Sequence, residues 1–254
     1  MDYELSNGIL TARVNSRGAE LKSLRLRDVE YIWPGGEPWD WSAPVCCPWC
    51  GALDAFEYNG RHYAPGRHGF VRERQHQLVE QAPDALTFAL YVAPGDERWP
   101  WPFGLTVRYT MEDHSLILAY RIENTGGEAM PLQFGFHPGF LSPAGSAVRA
   151  QRPDIPMCGD CMPIAPGAFD GDSIHLECPA SAWFRLDRGD GRSVRLDTAG
   201  YPHVLLWGVP GDTPFVCIEP WTGYPSGGSP WKRPGVISLA PGKTFERRLT
   251  ITFT

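Results

Sequence analysis

Along most of the chain, apolar and polar residues alternate with a period of two, the signature of half-buried strands. Leu10, Ala12 and Val14 alternate with polar neighbours, and a Ser16-Arg17-Gly18 turn leads on to Leu21 and Leu24. Residues 56–63 read as a hairpin about Asn59-Gly60, the dipeptide best suited to a tight two-residue turn. Leu86, Phe88, Leu90 and Val92 alternate, as do Leu105, Val107, Tyr109 and Met111. After a turn at 112–114, Leu116, Leu118, Tyr120 and Ile122 repeat the pattern. Further strands are predicted at Trp183–Asp187, 193–197, 203–209, 215–219, 236–239 and 244–254. No stripe of period 3.6 persists long enough for an ordinary helix. The expectation is an all-β chain: one large antiparallel β-sandwich forming a single domain over residues 1–254.

The 25 Pro and 28 Gly fall between these segments and concentrate in irregular stretches at 33–53, 92–102, 142–173 and 223–234. Loops of that length in a compact domain are often functional, so they are expected to wall a site. With 43% hydrophobic and 20% charged residues the composition is globular. A net charge of −6 without a basic face argues against nucleic acid and anionic membranes as partners. The acidic start Met1-Asp2-Tyr3-Glu4 lacks the parts of a secretory signal. With seven cysteines in no scaffold-like arrangement, a cytoplasmic location is expected. Ten Trp, twelve Phe and nine Tyr are many for this length. They suit a wide core between sheets, and some rings are expected to offer an apolar face to a sugar.

Three stretches carry candidate chemistry. Residues 130–140 alternate and then stop at His137-Pro138-Gly139; a proline there leaves the ladder, so His137 is expected at a strand end facing a cavity. Arg67-His68-Gly69-Phe70-Val71-Arg72 and Phe215-Val216-Cys217-Ile218-Glu219-Pro220-Trp221 have the look of further strand edges. The alternation of Arg72 and Arg74 with Val71 and Glu73 is equally consistent with a solvated strand face. Two histidines and a carboxylate make a plausible acid/base set. Glu219, flanked by Val216, Ile218 and Trp221, is expected to have its pKa raised by desolvation. A carboxylate inside an apolar run is costly without a purpose.

The order and form of these stretches (His-Gly-Phe, Gly-Phe-His-Pro-Gly-Phe, Cys-Ile-Glu-Pro-Trp) resemble the aldose 1-epimerase, or galactose mutarotase-like, family, and in particular its shorter bacterial branch. The resemblance spans nearly the whole chain and implies a supersandwich fold and the interconversion of α and β sugar anomers without cofactor or metal. It assigns Glu219 as base and His137 as acid, with His68, Arg72 and an Asp near 170–172, preferentially Asp172, as substrate-binding residues. The partner is then a small-molecule sugar, and the chain a monomer or homodimer.

One feature departs from the pattern. Family members commonly continue a proline-containing apolar stretch with Gly-Arg, whereas this chain has Gly51-Ala52 after Val45-Cys46-Cys47-Pro48-Trp49-Cys50. Arg61, Arg67 or Arg72 could take over, or the sugar could differ, a phosphorylated or otherwise anionic hexose included. The same departure favours an alternative, a non-catalytic carbohydrate-binding or sensor protein on this fold. A third reading, a zinc-stapled protein, rests on the Cys47/Cys50 and Cys158/Cys161 pairs. A glycosidase is disfavoured because no second stretch resembles the one around Glu219.

Overall fold

The computed structural model describes residues 1–156, 158–226 and 229–253. Thr254 at the end of the last predicted strand, and positions 157, 227 and 228 of two predicted loops, lie outside them. Every named strand pairs antiparallel among the described residues, as the period-two alternation predicts. A nine-stranded sheet has the long strands Thr244–Phe253, Ser115–Asn124, Phe103–Glu112 and Ala85–Val92 at its centre and far side. Their inward positions, among them Leu105, Val107, Tyr109, Leu116, Leu118 and Ile251, are buried in one large apolar core. The hairpin at Phe56–Tyr58 and Arg61–Tyr63 turns through Asn59 (φ 49°) and Gly60 (φ 71°). This is the left-handed pair that such a turn requires.

A six-stranded sheet positions the site. Its path runs Ile174–Glu177, His203–Trp207, Phe215–Trp221, Gly135–Phe136 and Val45–Cys46, with Gly139–Leu141 also pairing Phe215–Trp221. Along Phe215–Trp221, Val216 and Ile218 point into the main core, while Phe215, Glu219 and Trp221 make contacts on the other face. The predicted strand ending at His137 is broken into pieces. Met130–Leu132 pairs with Ile237–Leu239, and Pro138 separates the two short strands that follow. Short strands also lie inside stretches read from sequence as irregular, namely Val45–Cys46, Ala147–Ala150 and Cys161–Pro163.

The segment 67–72 is not a strand edge. Gly66, His68 and Gly69 all have left-handed backbone, and Val71–Glu73 is a single 3-10 turn. A β-carbon on Gly69 would lie 2.1 Å from the Cys47 carbonyl oxygen, so only glycine allows the two backbones to approach so closely. Arg72 therefore projects from a turn and is not part of a solvated strand face.

Candidate active site

His137 and Glu219 meet because of strand register. Gly135 pairs with Trp221 and Gly139 with Cys217, so position 137 falls opposite Glu219. Proline at 138 takes the chain out of the ladder there, and the His137 amide donates instead to the Pro44 carbonyl at 3.1 Å. The imidazole is thereby free to turn toward the carboxylate: His137 Nε2 lies 3.2 Å from Glu219 Oε2, with both side chains buried. The contact lacks hydrogen-bond geometry, so Oε2 has no protein partner, and neither does His137 Nδ1.

His68 stands edge-on to His137, with ring centroids 5.1 Å apart. It is held by the segment that carries Ala52. The His68 amide donates to the Gly51 carbonyl at 2.7 Å, and the Gly51 amide donates to His68 Nδ1 at 3.2 Å. With Nδ1 accepting, the neutral ring carries its proton on Nε2.

These groups face a cleft of about 690 Å³, within the usual range for small-molecule sites. Its aromatic walls are Trp39, Trp41, Trp207 and Trp221. Trp39 stacks on His137 at 5.0 Å and on Phe215 at 5.2 Å, and Trp221 packs edge-on to His68 at 5.3 Å. By contrast Trp49, Trp99 and Trp101 belong to the core. These seven tryptophans thus divide between the cleft wall and the core.

Of the four loops expected to wall a site, 33–53, 142–173 and 223–234 contribute lining residues. The stretch 92–102 does not line it: Arg98 there pairs with Glu73 and donates to the Pro65 carbonyl, while Trp99 and Trp101 fill the interior.

Asp172 lines the cleft from a left-handed position, φ 83°. Asp170 does not; its carboxylate accepts from the Gly211 amide at 2.8 Å and ties one loop to another. Arg67 and Arg72 both line the cleft, whereas Arg61 sits on the exposed hairpin. The Arg72 guanidinium lies 4.6 Å from the Trp41 ring centroid and donates to the Arg67 carbonyl at 3.0 Å, leaving Nε buried without a partner. The cleft therefore presents cations and carboxylates together, with four buried polar atoms (Arg72 Nε, His137 Nδ1, Glu219 Oε2 and Trp221 Nε1) unpaired within the protein. Unpaired buried polar groups are expensive.

Burial sets the protonation. Desolvation, helped by the Asp172 carboxylate, pushes the Glu219 carboxyl well above its ordinary range. Desolvation, then Arg72 and Arg67, pulls the His137 imidazole down to about 3. His68 is driven well down by burial first, then by His137 and the two arginines. Burial thus disfavours the charged form of both members of the pair at 3.2 Å.

Sequence reasoning missed Arg233. It is 4% exposed, donates from Nη1 to the Cys50 carbonyl at 3.2 Å and from Nη2 to the Ala52 carbonyl, and lies over Trp49 at 5.0 Å. It touches the stretch where the family arginine is missing, but from behind the wall, and is not itself a lining residue. The cysteine pairs do not form a staple. Cys47 and Cys50 are buried, Cys158 is exposed, and no described group of converging metal-ligating atoms joins them.

A β-sandwich with such a cleft belongs to the galactose mutarotase-like class of folds. Solved structures similar to it include a galactose mutarotase related enzyme from Lactobacillus acidophilus, with TM-score 0.91, 24% identity and coverage of 100% of this chain and 97% of that one. A galactose mutarotase-like protein from Lactobacillus casei ATCC 334 gives TM-score 0.89 at 22% identity, with 100% of both chains covered. The sequence profile described as "Aldose 1-epimerase" matches residues 1–157, and the chain belongs to that family. Among curated relatives, the chromosomal protein LacX of Lactococcus lactis subsp. lactis is 26% identical over 99% of both chains. The aldose 1-epimerase of Escherichia coli (strain K12) is 28% identical over 168 residues, which cover 62% of this chain and 46% of that protein.

Proposed function

We propose that the protein is an aldose 1-epimerase, interconverting the α and β anomers of a hexose or hexose derivative. The observation that carries this reading is the buried His137–Glu219 pair, 3.2 Å apart and facing an aromatic cleft. Opening a pyranose ring needs one group to remove the proton from the C1 hydroxyl and another to protonate the ring oxygen. A pair holding one proton has that inventory, one site filled and one vacant. With that one proton placed on His137, the Glu219 carboxylate takes the C1 hydroxyl proton while the His137 imidazolium delivers its proton to the ring oxygen. The C1–ring-oxygen bond breaks, the free aldehyde rotates about C1–C2, and reclosure runs the transfers backwards. The pair ends each turnover with the proton it began with.

Desolvation makes the Glu219 carboxylate a stronger base than an exposed one. His68, with its proton on Nε2, donates to oxygen at C1, while Asp172 and Arg72 hold hydroxyls and the tryptophan faces cover the C–H side of the ring. A second reading, a carbohydrate-binding protein without turnover, is favoured by Ala52 in place of the family arginine.

Polarimetry on freshly dissolved α-glucose, α-galactose and an α-hexose 6-phosphate decides between them. Wild type accelerates equilibration of at least one sugar, and Glu219→Gln lowers that rate by roughly 10²–10⁴-fold, the usual worth of a general base. A variant as fast as wild type removes Glu219 from the mechanism. Sugar binding without acceleration by wild type establishes the second reading.

A further inference from the structure

Glu219 and Cys217 lie two residues apart on one strand, so their side chains emerge on the same face. Gly139 pairs with Cys217 and leaves no side chain on the opposing strand. The sulfur thus reaches the acid–base pair: a ring nitrogen of His137, Cys217 Sγ and a Glu219 carboxylate oxygen all lie within 4.8 Å of one another, all buried. We propose that these three atoms form a binding site for Zn²⁺, and that the ion shuts off sugar chemistry by capturing both members of the pair. The inhibitory consequence rests on the function proposed above; the binding itself rests on the geometry.

Three observations point to a metal rather than to packing. First, a nitrogen, a sulfur and an oxygen make a ligand set that zinc accepts, and three protein ligands with an open fourth position are the arrangement of its reactive sites. Second, bond lengths of about 2.0–2.3 Å in a tetrahedron separate ligand atoms by about 3.4–3.6 Å. The 3.2 Å between His137 Nε2 and Glu219 Oε2 is close to such an edge, and the sulfur needs to move by little more than about 1 Å. Third, that same pair approaches without hydrogen-bond geometry, and Glu219 Oε2, in a side chain 2% exposed, is left without a protein partner. A thiolate and a carboxylate balance the charge of the ion, so the buried site stays neutral. Its fourth position opens on the cleft, where water or a sugar hydroxyl can bind.

The test uses the full chain with the solvent-reached thiols Cys158, Cys161 and Cys178 replaced by serine, so that no exposed cysteine competes. Isothermal titration with Zn²⁺ gives one site per chain; Cys217→Ser and, separately, His137→Asn weaken it by at least about 100-fold. Co²⁺ used as a spectroscopic probe gives thiolate-to-metal absorption in the parent and none in Cys217→Ser. In the polarimeter Zn²⁺ arrests the parent and a chelator restores it. The rate of Cys217→Ser, measured first without zinc, is unchanged by the zinc concentration that arrests the parent. No binding by the parent, or equal affinity in the parent and Cys217→Ser, overturns the proposal. Calorimetry and the cobalt spectrum read the site even if no sugar is turned over, so failure of the zinc site and failure of the proposed function are separable.

Discussion

Arg233→Met tests whether a buried guanidinium behind the cleft wall holds the wall in place. The arginine is anchored to two carbonyls, those of Cys50 and Ala52, and packs over Trp49. Methionine keeps most of the volume but none of the donors. A charged hydrogen bond contributes about 1.5–3 kcal/mol, and a cation over an aromatic ring about 0.5–1 kcal/mol. The sum is reduced because a guanidinium is itself costly to bury, desolvation being the main influence on its lowered pKa. A loss of about 2–4 kcal/mol is expected, read as a lower urea midpoint at unchanged slope.

The loosening should reach the site through one covalent neighbour. Gly51, between the two anchored carbonyls, exchanges hydrogen bonds with His68 and lies against the Pro225 carbonyl, where a β-carbon would sit at 1.9 Å. A rise in KM with a smaller change in kcat is therefore expected from polarimetry. Arg233→Lys should recover only part of both losses, since an ammonium lacks the planar fork that spans two acceptors. A destabilisation below about 0.5 kcal/mol with unchanged KM would refute this account, because the measured change would then fit an ordinary surface substitution.

Three shorter predictions accompany it. Gly69→Ala should cost more than about 2 kcal/mol in denaturant titration and displace His68, since a left-handed backbone and a β-carbon 2.1 Å from the Cys47 oxygen both oppose it; an alanine variant of full stability contradicts the close approach. His76 is buried, bonded through Nε2 to the Val71 carbonyl at 3.0 Å, and its pKa is lowered by desolvation. Its contribution is therefore present above the ordinary value of about 6.5 and is lost as pH falls toward the lowered one. His76→Gln should flatten the acid limb of stability against pH by up to about 1.4 kcal/mol per pH unit, and parallel limbs would show that His76 does not titrate on unfolding. Trp39→Ala removes the ring stacked on His137 and Phe215; a weakened KM with folding retained is expected, and an unchanged KM would remove that ring from the sugar face.

The parts of the fold that were legible in the sequence are those where side-chain alternation runs long. Phe103–Glu112 and Ser115–Asn124 each bury one face of ten residues, and the signal accumulates with length. Two-residue strands such as Val45–Cys46 and Gly135–Phe136 are buried on both sides and carry no alternation to detect. The His137–Glu219 contact could be anticipated because each member stands beside a proline and Glu219 lies in an apolar run, unusual surroundings for titratable groups. The backbone of His68 could not be read in the same way. Its left-handed conformation is fixed by Gly69 passing Cys47, a contact between backbones distant in sequence. Arg233 left still less trace: two of the groups it holds are carbonyl oxygens, which every residue has, so nothing in the side-chain pattern marks them.

This difference in legibility bears on what Ala52 means. Read from sequence alone, a missing arginine is a missing sugar contact. In the structure, contact with a ligand and fastening of the wall separate. Arg233 grips the carbonyl of Ala52 itself, so the wall is fastened from the far side without a guanidinium at position 52. Nothing about that anchorage restores a donor inside the cleft, because Arg233 is not a lining residue; the cations there are Arg67 and Arg72, on either side of His68 in sequence. The atoms that perform ring opening in the proposed mechanism, on His137 and Glu219, are placed by strand register and do not depend on position 52. Replacing Ala52 with Arg should therefore change which sugars bind, seen as altered ratios of KM among glucose, galactose and a hexose 6-phosphate. It should leave kcat for a given bound sugar within a few-fold, since uniform binding alters KM and not the barrier from the bound state. A large change in kcat at constant KM would mean that position 52 acts on the transition state, and the separation of wall, binding and chemistry drawn here would fail.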